Sequence, residues 1–404
     1  MFLSRIKSLH PLRRFVRFET SPMDETERDF LPPNVFYNQL IERGFDFFTG
    51  LPDSLLTDFI KYISDNHPPS KYIIGANEGT AISIAAGWHL ATRRYPVVIM
   101  QNSGVGNIVN PILSLADPKV YKIPMLLLIG WRGEPGKKDE PQHKVQGEII
   151  TSLLADIGIT NEVLPNYEEG AAAALDLAHF HLRTKNSPYA FLVRRKTFLT
   201  YESNKNTLQK YQLSREEALE ILLNSVGKFD SVVSGAGLSS RELMELREKR
   251  GLLWNQDFYC LGAKGHASSI AMGIALAKPS KMVYILDGDG SFFMHMGACA
   301  QIGARKIGNL RHIIFNNEVH ESAGGAPSVG DVVDFVKVAQ GCGYAYAATA
   351  STKEEIVEHL EKMKDINGSG LLEIKIRSFT RKNLKPLRID PKDNKDQFMN
   401  FLDQ

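Results

Sequence analysis

Cysteine is scarce in this chain. The three present in 404 residues, Cys260, Cys299 and Cys342, fall in no metal-ligand spacing. That excludes a thiolate metal site and points to a reducing compartment. An excess of either charge is also missing. The net charge is +2, so no bulk field recruits nucleic acid. No apolar run is long enough to span a bilayer, so no membrane partner is expected. A full dinucleotide fingerprint is lacking too. Gly235-Ala236-Gly237 follows a predicted strand, but Ser240 stands where the third glycine belongs.

What remains is ordinary globular material, 43% hydrophobic and 23% charged, and long enough for two domains. Apolar runs rich in Val, Ile and Leu predict strands near residues 47–50, 71–75, 96–100, 125–130 and 190–194. A second series falls near 230–235, 282–286, 311–315 and 371–376. Helical stretches alternate with them, at 34–46, 55–64, 81–93, 262–276 and within 291–315. Ser214 with Glu217 and Thr352 with Glu355 read as capping boxes. Strands alternating with helices imply parallel sheets covered on both faces. The fold class is therefore α/β, with two doubly wound, Rossmann-like domains. The first covers 31–197 and the second 214–378, with a polar linker at 198–213 and a surface tail at 379–404. No internal sequence repeat relates the two halves.

Residues 1–30 form a basic N-terminal extension. Its first 18 positions contain Arg5, Lys7, Arg13, Arg14 and Arg17 and no acid, with apolar residues interleaved. This pattern resembles a mitochondrial transit peptide and implies the mitochondrial matrix. The alternative is a basic extension without a targeting role on a cytoplasmic protein.

The chemistry centres on Gly288-Asp289-Gly290-Ser291 and on Asn316-Asn317. Each pair of motifs closes a predicted parallel strand, at the edge where open α/β sheets bind ligands. Asp289 offers a hard anionic oxygen, and the flanking glycines let backbone approach a phosphate. Such oxygens, completed by a diphosphate, suit Mg²⁺. This combination resembles the diphosphate-binding motif of thiamine diphosphate enzymes. The resemblance implies that Asp289, Asn317 and the Val319 carbonyl ligate Mg²⁺. It places Asn316 and Ser291 beside the diphosphate, with Gly50, Gly265 and His266 as further cofactor-binding residues. It also asks for a carboxylate on the aminopyrimidine ring, and Glu78 is the candidate.

The segments 100–107, 129–136, 139–143, 265–268 and 320–325 resemble the phosphonopyruvate decarboxylases, with the sulfopyruvate decarboxylases as nearest relatives. The likeness covers about 32–390 in order. It implies thiamine diphosphate and Mg²⁺ as cofactors, and the conversion of 3-phosphonopyruvate to phosphonoacetaldehyde and CO₂. On this reading Asp53 relays protons, while His143 and His320 donate or shuttle them. Arg132 forks onto the phosphonate, and Ser54 and Lys264 are further substrate contacts. The family arrangement places each cofactor between the first domain of one subunit and the second of another, so a homo-oligomer is expected. Lys264 is a departure, because the family usually has a bulky apolar residue there to support the bent cofactor. A buried unpaired lysine is costly. Its stem could snorkel or its ammonium could meet the phosphonate. It could also mark a cofactor-binding paralogue with reduced or no catalysis.

Overall fold

The computed structural model describes residues 30–203, 209–381 and 383–404. The basic stretch read as a transit peptide lies outside them. The first half is a six-stranded parallel sheet. Its strands are β1 (Phe48–Gly50), β2 (Tyr72–Ile74), β3 (Val97–Gln101), β4 (Leu126–Gly130), β5 (Thr160–Val163) and β6 (Tyr189–Val193), in the order β2-β1-β3-β4-β6-β5. Six helices cover it: α1 (Pro33–Glu42), α2 (Thr57–Asn66), α3 (Glu78–Thr92), α4 (Val105–Pro111), α5 (Pro141–Asp156) and α6 (Glu168–Lys185). Strands β4 and β6 are buried at every position, because helices pack on both faces. Two apolar clusters, one on each face, form the core of this half.

The second half repeats the plan without repeating the sequence. Its sheet contains β7 (Ser231–Ser234), β8 (Asp257–Tyr259), β9 (Val283–Gly288), β10 (Leu310–Asn316), β13 (Tyr346–Ala350) and β14 (Gly370–Lys375), in the order β13-β14-β10-β9-β7-β8. A small antiparallel hairpin, β11 (Val319–His320) with β12 (Ala326–Pro327), rises from the end of β10. The helices are α7 (Arg215–Ser225), α8 (Leu238–Lys249), α9 (Ala267–Ala277), α10 (Asp289–Met294), α11 (Gly297–Ala304), α12 (Phe335–Cys342), α13 (Lys353–Lys362) and α14 (Pro391–Leu402). Both predicted capping boxes are formed, at the starts of α7 and α13.

Three expectations change. The helical stretch within 291–315 is two short helices, because His295 leaves the helical region (φ −138°) and ends α10. The helix expected from 262 starts at Ala267. The chain first turns through two left-handed residues, Ala263 (φ 50°) and Gly265 (φ 84°). The tail does more than cover surface. Asn394 of α14 accepts from the Tyr259 N–H at 3.1 Å and donates to the Asp257 carbonyl at 2.8 Å, covering the free edge of β8.

The C-terminal edges of the two sheets face each other. The Asn77 amide, just beyond β2, donates to the Met294 carbonyl at the end of α10 at 3.1 Å. Arg241 of α8 pairs with Glu140, just before α5, at 2.7 Å.

Candidate active site

The parallel register aligns Gly288 with Phe315, so the ends of β9 and β10 stand side by side. Asp289 opens α10 there. Its carboxylate is 3% exposed and accepts from the Ser328 hydroxyl. Burial pushes it up to about 6, and the Ser328 bond, the Gly290 N–H and Lys264 only partly offset that. A buried acid with no cation in contact is a condition that a metal ion relieves. Asn317 sits beside it, giving Nδ2 to Glu321 at 3.0 Å and accepting the Val319 N–H on Oδ1 at 3.3 Å. Asp289, Asn317 and Val319 all line the same cleft. Among the described residues no group of three His, Cys, Asp or Glu could hold a metal. The donor set is therefore one carboxylate, one amide and one backbone carbonyl, which fits Mg²⁺ with phosphate oxygens completing the shell.

Asn316 is placed differently from expectation. Its side chain is fully buried and donates to the Gly330 carbonyl and the Glu373 carboxylate, each at 2.7 Å, while its oxygen accepts the Glu318 N–H. It therefore ties the loop after β10 to β14 and does not line the cleft. Gly330 packs directly on the Asp289 and Asn316 oxygens, where any side chain would collide.

Glu78 is the first residue of α3, behind the N-cap Asn77, whose side chain accepts the Thr80 N–H. A carboxylate is favoured at that helix start. It is 6% exposed and accepts from Asn107 Nδ2 at 2.7 Å. Burial raises its pKa, with Asn107 the main offset. Gly104 lies against the other carboxylate oxygen, and a methyl there would overlap it.

Lys264 stands in the loop before α9 and lines the cleft with Asp289. Burial of its amine lowers its pKa, and Asp289 and then Glu78 act against that. Among the described residues no ion pair or hydrogen bond engages its ammonium. Within the chain the Asn77–Met294 bond ties the loop after β2 to the end of α10. His320 completes this group. Its ring lies on Gly290, and burial, then Lys264, drop its pKa to about 3, so it is neutral at physiological pH.

Other sequence-predicted residues divide into those facing the cleft and those holding it. Asp53 is 1% exposed, with oxygens on Gln101 Nε2 at 2.6 Å and the Leu55 N–H at 2.8 Å; burial raises its pKa. Arg132 does not present a free fork. Nε and Nη2 both go to Asp139, at 2.9 and 2.5 Å, and only Nη1 turns toward Ser54, at 3.3 Å. That pair raises the Arg132 pKa and holds Asp139 well below the usual carboxylate range. His143 in α5 is buried, with Nδ1 unpartnered among the described residues, and burial lowers its pKa. Gly50 has φ 137° and lies on the Ile99 backbone, at the close approach of β1 to β3. Gly265 makes the left-handed turn before α9. His266 stacks on His295 with centroids 3.9 Å apart.

Sequence reasoning did not single out Asn107, Gln101, Gly104, Asp139, Ser328 or Gly330. Gln101, Gly104 and Asn107 stand in the segment 100–107, and Asp139 in 139–143, both already noted. Nothing in sequence spacing ties Ser328 or Gly330 to Asp289.

Comparison with known proteins accords with this geometry. Residues 34–154 match the N-terminal TPP binding domain of thiamine pyrophosphate enzymes, and residues 235–374 match the C-terminal one. Phosphonopyruvate decarboxylase of Streptomyces viridochromogenes is 32% identical over 369 residues, 87% of this chain and 90% of that protein. The protein of the same name from Streptomyces hygroscopicus is 32% identical over 368 residues, 87% and 89% of the two chains. Sulfopyruvate decarboxylase of Methanosarcina acetivorans is 25% identical over 385 residues, 90% and 95%. This chain belongs to the phosphonopyruvate decarboxylase family of thiamine diphosphate enzymes.

Proposed function

We propose that the protein decarboxylates 3-phosphonopyruvate to phosphonoacetaldehyde and CO₂, within phosphonate biosynthesis, using thiamine diphosphate and Mg²⁺. The observation that carries this reading is the buried Asp289 carboxylate at the end of β9, with Asn317 and Val319 beside it in one cleft. Asp289, Asn317 and the Val319 carbonyl would hold Mg²⁺, with Ser291 and the Gly288 and Gly290 backbone along the diphosphate. Thiamine diphosphate, when bound, supplies the electron sink that breaking a carbon–carbon bond requires.

The chain's own groups do the rest. Glu78 Oε2 is held by Asn107, which leaves Oε1 to carry a proton for the aminopyrimidine ring. Asp53 is buried on Gln101 and the Leu55 N–H, placed to relay a proton to product, and burial raises its pKa. His320 is neutral and burial lowers the His143 pKa, and each ring can donate or accept a hydrogen bond at the substrate. The Arg132 fork is spent on Asp139, so the charged head group falls to Lys264, with Arg132 Nη1 and the Ser54 hydroxyl as donors.

An ammonium is a point charge and accepts sulfonate as readily as phosphonate. Sulfopyruvate is therefore the second reading. The deciding experiment incubates purified protein with thiamine diphosphate, Mg²⁺ and each 2-oxo acid, and measures CO₂ release. We expect kcat/KM to be highest for phosphonopyruvate. A higher value for sulfopyruvate selects the second reading. Cofactor binding without release from either acid identifies a non-catalytic paralogue.

Two further expectations stand as proposals. A homo-oligomer with each cofactor between the first domain of one subunit and the second of another is supported by the exposed Leu90, Tyr121 and Val145; light scattering decides. Mitochondrial targeting rests on the acid-free N-terminus, and a fluorescent fusion with and without residues 1–30 tests it.

A further inference from the structure

The first sheet has a second cleft, which borders the site described through Leu55 and Asp139, the partners of Asp53 and Arg132. It holds about 520 Å³ at the C-terminal ends of β4, β5 and β6. Its apolar wall includes Leu55, Trp131, Leu164 and Pro165. The Trp131 indole is fixed by its bond to the Gly147 carbonyl at 2.8 Å. The Arg194 guanidinium stands 5.6 Å from its ring centroid.

The rim is cationic: Lys137, Lys138, Arg194, Arg195 and Lys196. Two acids also line the cleft, and both are already engaged. Glu134 pairs with Arg194 at 2.9 Å, and Asp139 is clamped on Arg132. Among the described residues, Lys137, Lys138, Arg195 and Lys196 have no ion-pair partner. Four uncompensated positive charges thus gather on one concavity, in a protein whose whole net charge is +2. All four side chains are exposed, so their charge carries no burial penalty without a ligand.

A solvated basic face needs neither concavity nor an apolar wall. This cleft has both, it lies at the sheet edge where α/β ligands collect, and its size is that of a metabolite site. Converging unpaired cations recognise an anion of several charges. We propose that this cleft binds a small polyphosphate anion. Two sources share that chemistry, a nucleoside di- or triphosphate and inorganic pyrophosphate. The proposal does not rest on the assigned reaction, since none of these cations belongs to the cofactor cleft.

The test uses holoenzyme saturated with thiamine diphosphate and excess Mg²⁺, so that the diphosphate cleft is filled. ATP, pyrophosphate and adenosine are titrated by calorimetry. Two variants accompany it, Arg195→Glu with Lys196→Glu, and Lys137→Ala with Lys138→Ala. These side chains are exposed, and the second pair remains informative if the first fails to fold. We expect saturable ATP or pyrophosphate binding, weakened roughly tenfold or more in the variants and by added salt. Tighter ATP than pyrophosphate identifies the nucleotide source, and equal affinity the inorganic one. No saturable binding of either anion, affinities unchanged in the variants, or adenosine binding as tightly as ATP would each overturn the proposal.

Discussion

Replacing Glu78 with glutamine tests the centre of the site with almost no change of shape. The glutamine oxygen can keep the 2.7 Å bond from Asn107, leaving its NH₂ beside Gly104. The fold gains by no longer burying a charge, since burial is what raises the Glu78 pKa, and it loses a charge-assisted hydrogen bond. Each effect is on the order of 1–3 kcal/mol. They oppose, so the net change should stay near about 1 kcal/mol, a shift of about 4 °C or less in Tm. Turnover should respond very differently. An amide cannot carry the proton, and losing such a group costs ~100-fold or more in kcat. That is a barrier increase of at least ~2.7 kcal/mol. Affinity for thiamine diphosphate should hold, because the anchor at Asp289 is untouched. Steady-state CO₂ release and a thermal-shift titration of the cofactor separate these effects. A kcat within threefold of wild type would refute the argument. So would a loss of turnover explained by a matching loss of cofactor affinity, since Glu78 would then be an anchor.

Other expectations follow from the same geometry. Gly104→Ala places a methyl on a Glu78 oxygen, so it should lower kcat without removing any functional group; unchanged kcat would show that the carboxylate is free to move. Asp289→Ala should abolish stabilisation by thiamine diphosphate with Mg²⁺ in thermal shift. In the wild type, burial holds this carboxyl near about 6, and only its ionised form binds a cation, so Mg²⁺ affinity should fall roughly tenfold per pH unit below that value. Pulse titrations of Mg²⁺ at several pH values check this, and a flat profile contradicts it. Lys264→Met should raise KM more than it lowers kcat, as expected when head-group binding is lost; a large gain in kcat would mean that the lysine spoils the cofactor's seating. Glu78→Gln and Asp289→Ala subunits, each inactive alone, should recover some activity when mixed, because a site between subunits would carry both intact groups at one mixed interface; an active monomer by light scattering would contradict that arrangement.

The sequence by itself determined the fold class and the chemical type of the site. Central parallel strands are buried on both faces, so β3, β4, β6, β9 and β10 are continuous apolar runs that announce themselves. Capping at Ser214 and Thr352 is local, a matter of three residues, and was legible for that reason. Asp289, Asn317 and Glu78 were legible because each stands at a strand end or the helix start that follows, with small residues around it. Tertiary structure decided what depends on neighbours distant in sequence. Strands β5, β8 and β13 are sheet edges, short or half-exposed, and lack the apolar run. Arg132 looked free for an anion, and only folding shows that Asp139 takes its fork. Asn316 and Asn317 are adjacent and chemically identical, yet alternation along the end of β10 buries one against Glu373 and turns the other to the cleft. Lys264 was an anomaly in the linear chain. Its place in the cleft beside Asp289 follows from the left-handed turn through Ala263 and Gly265, which only the folded chain shows.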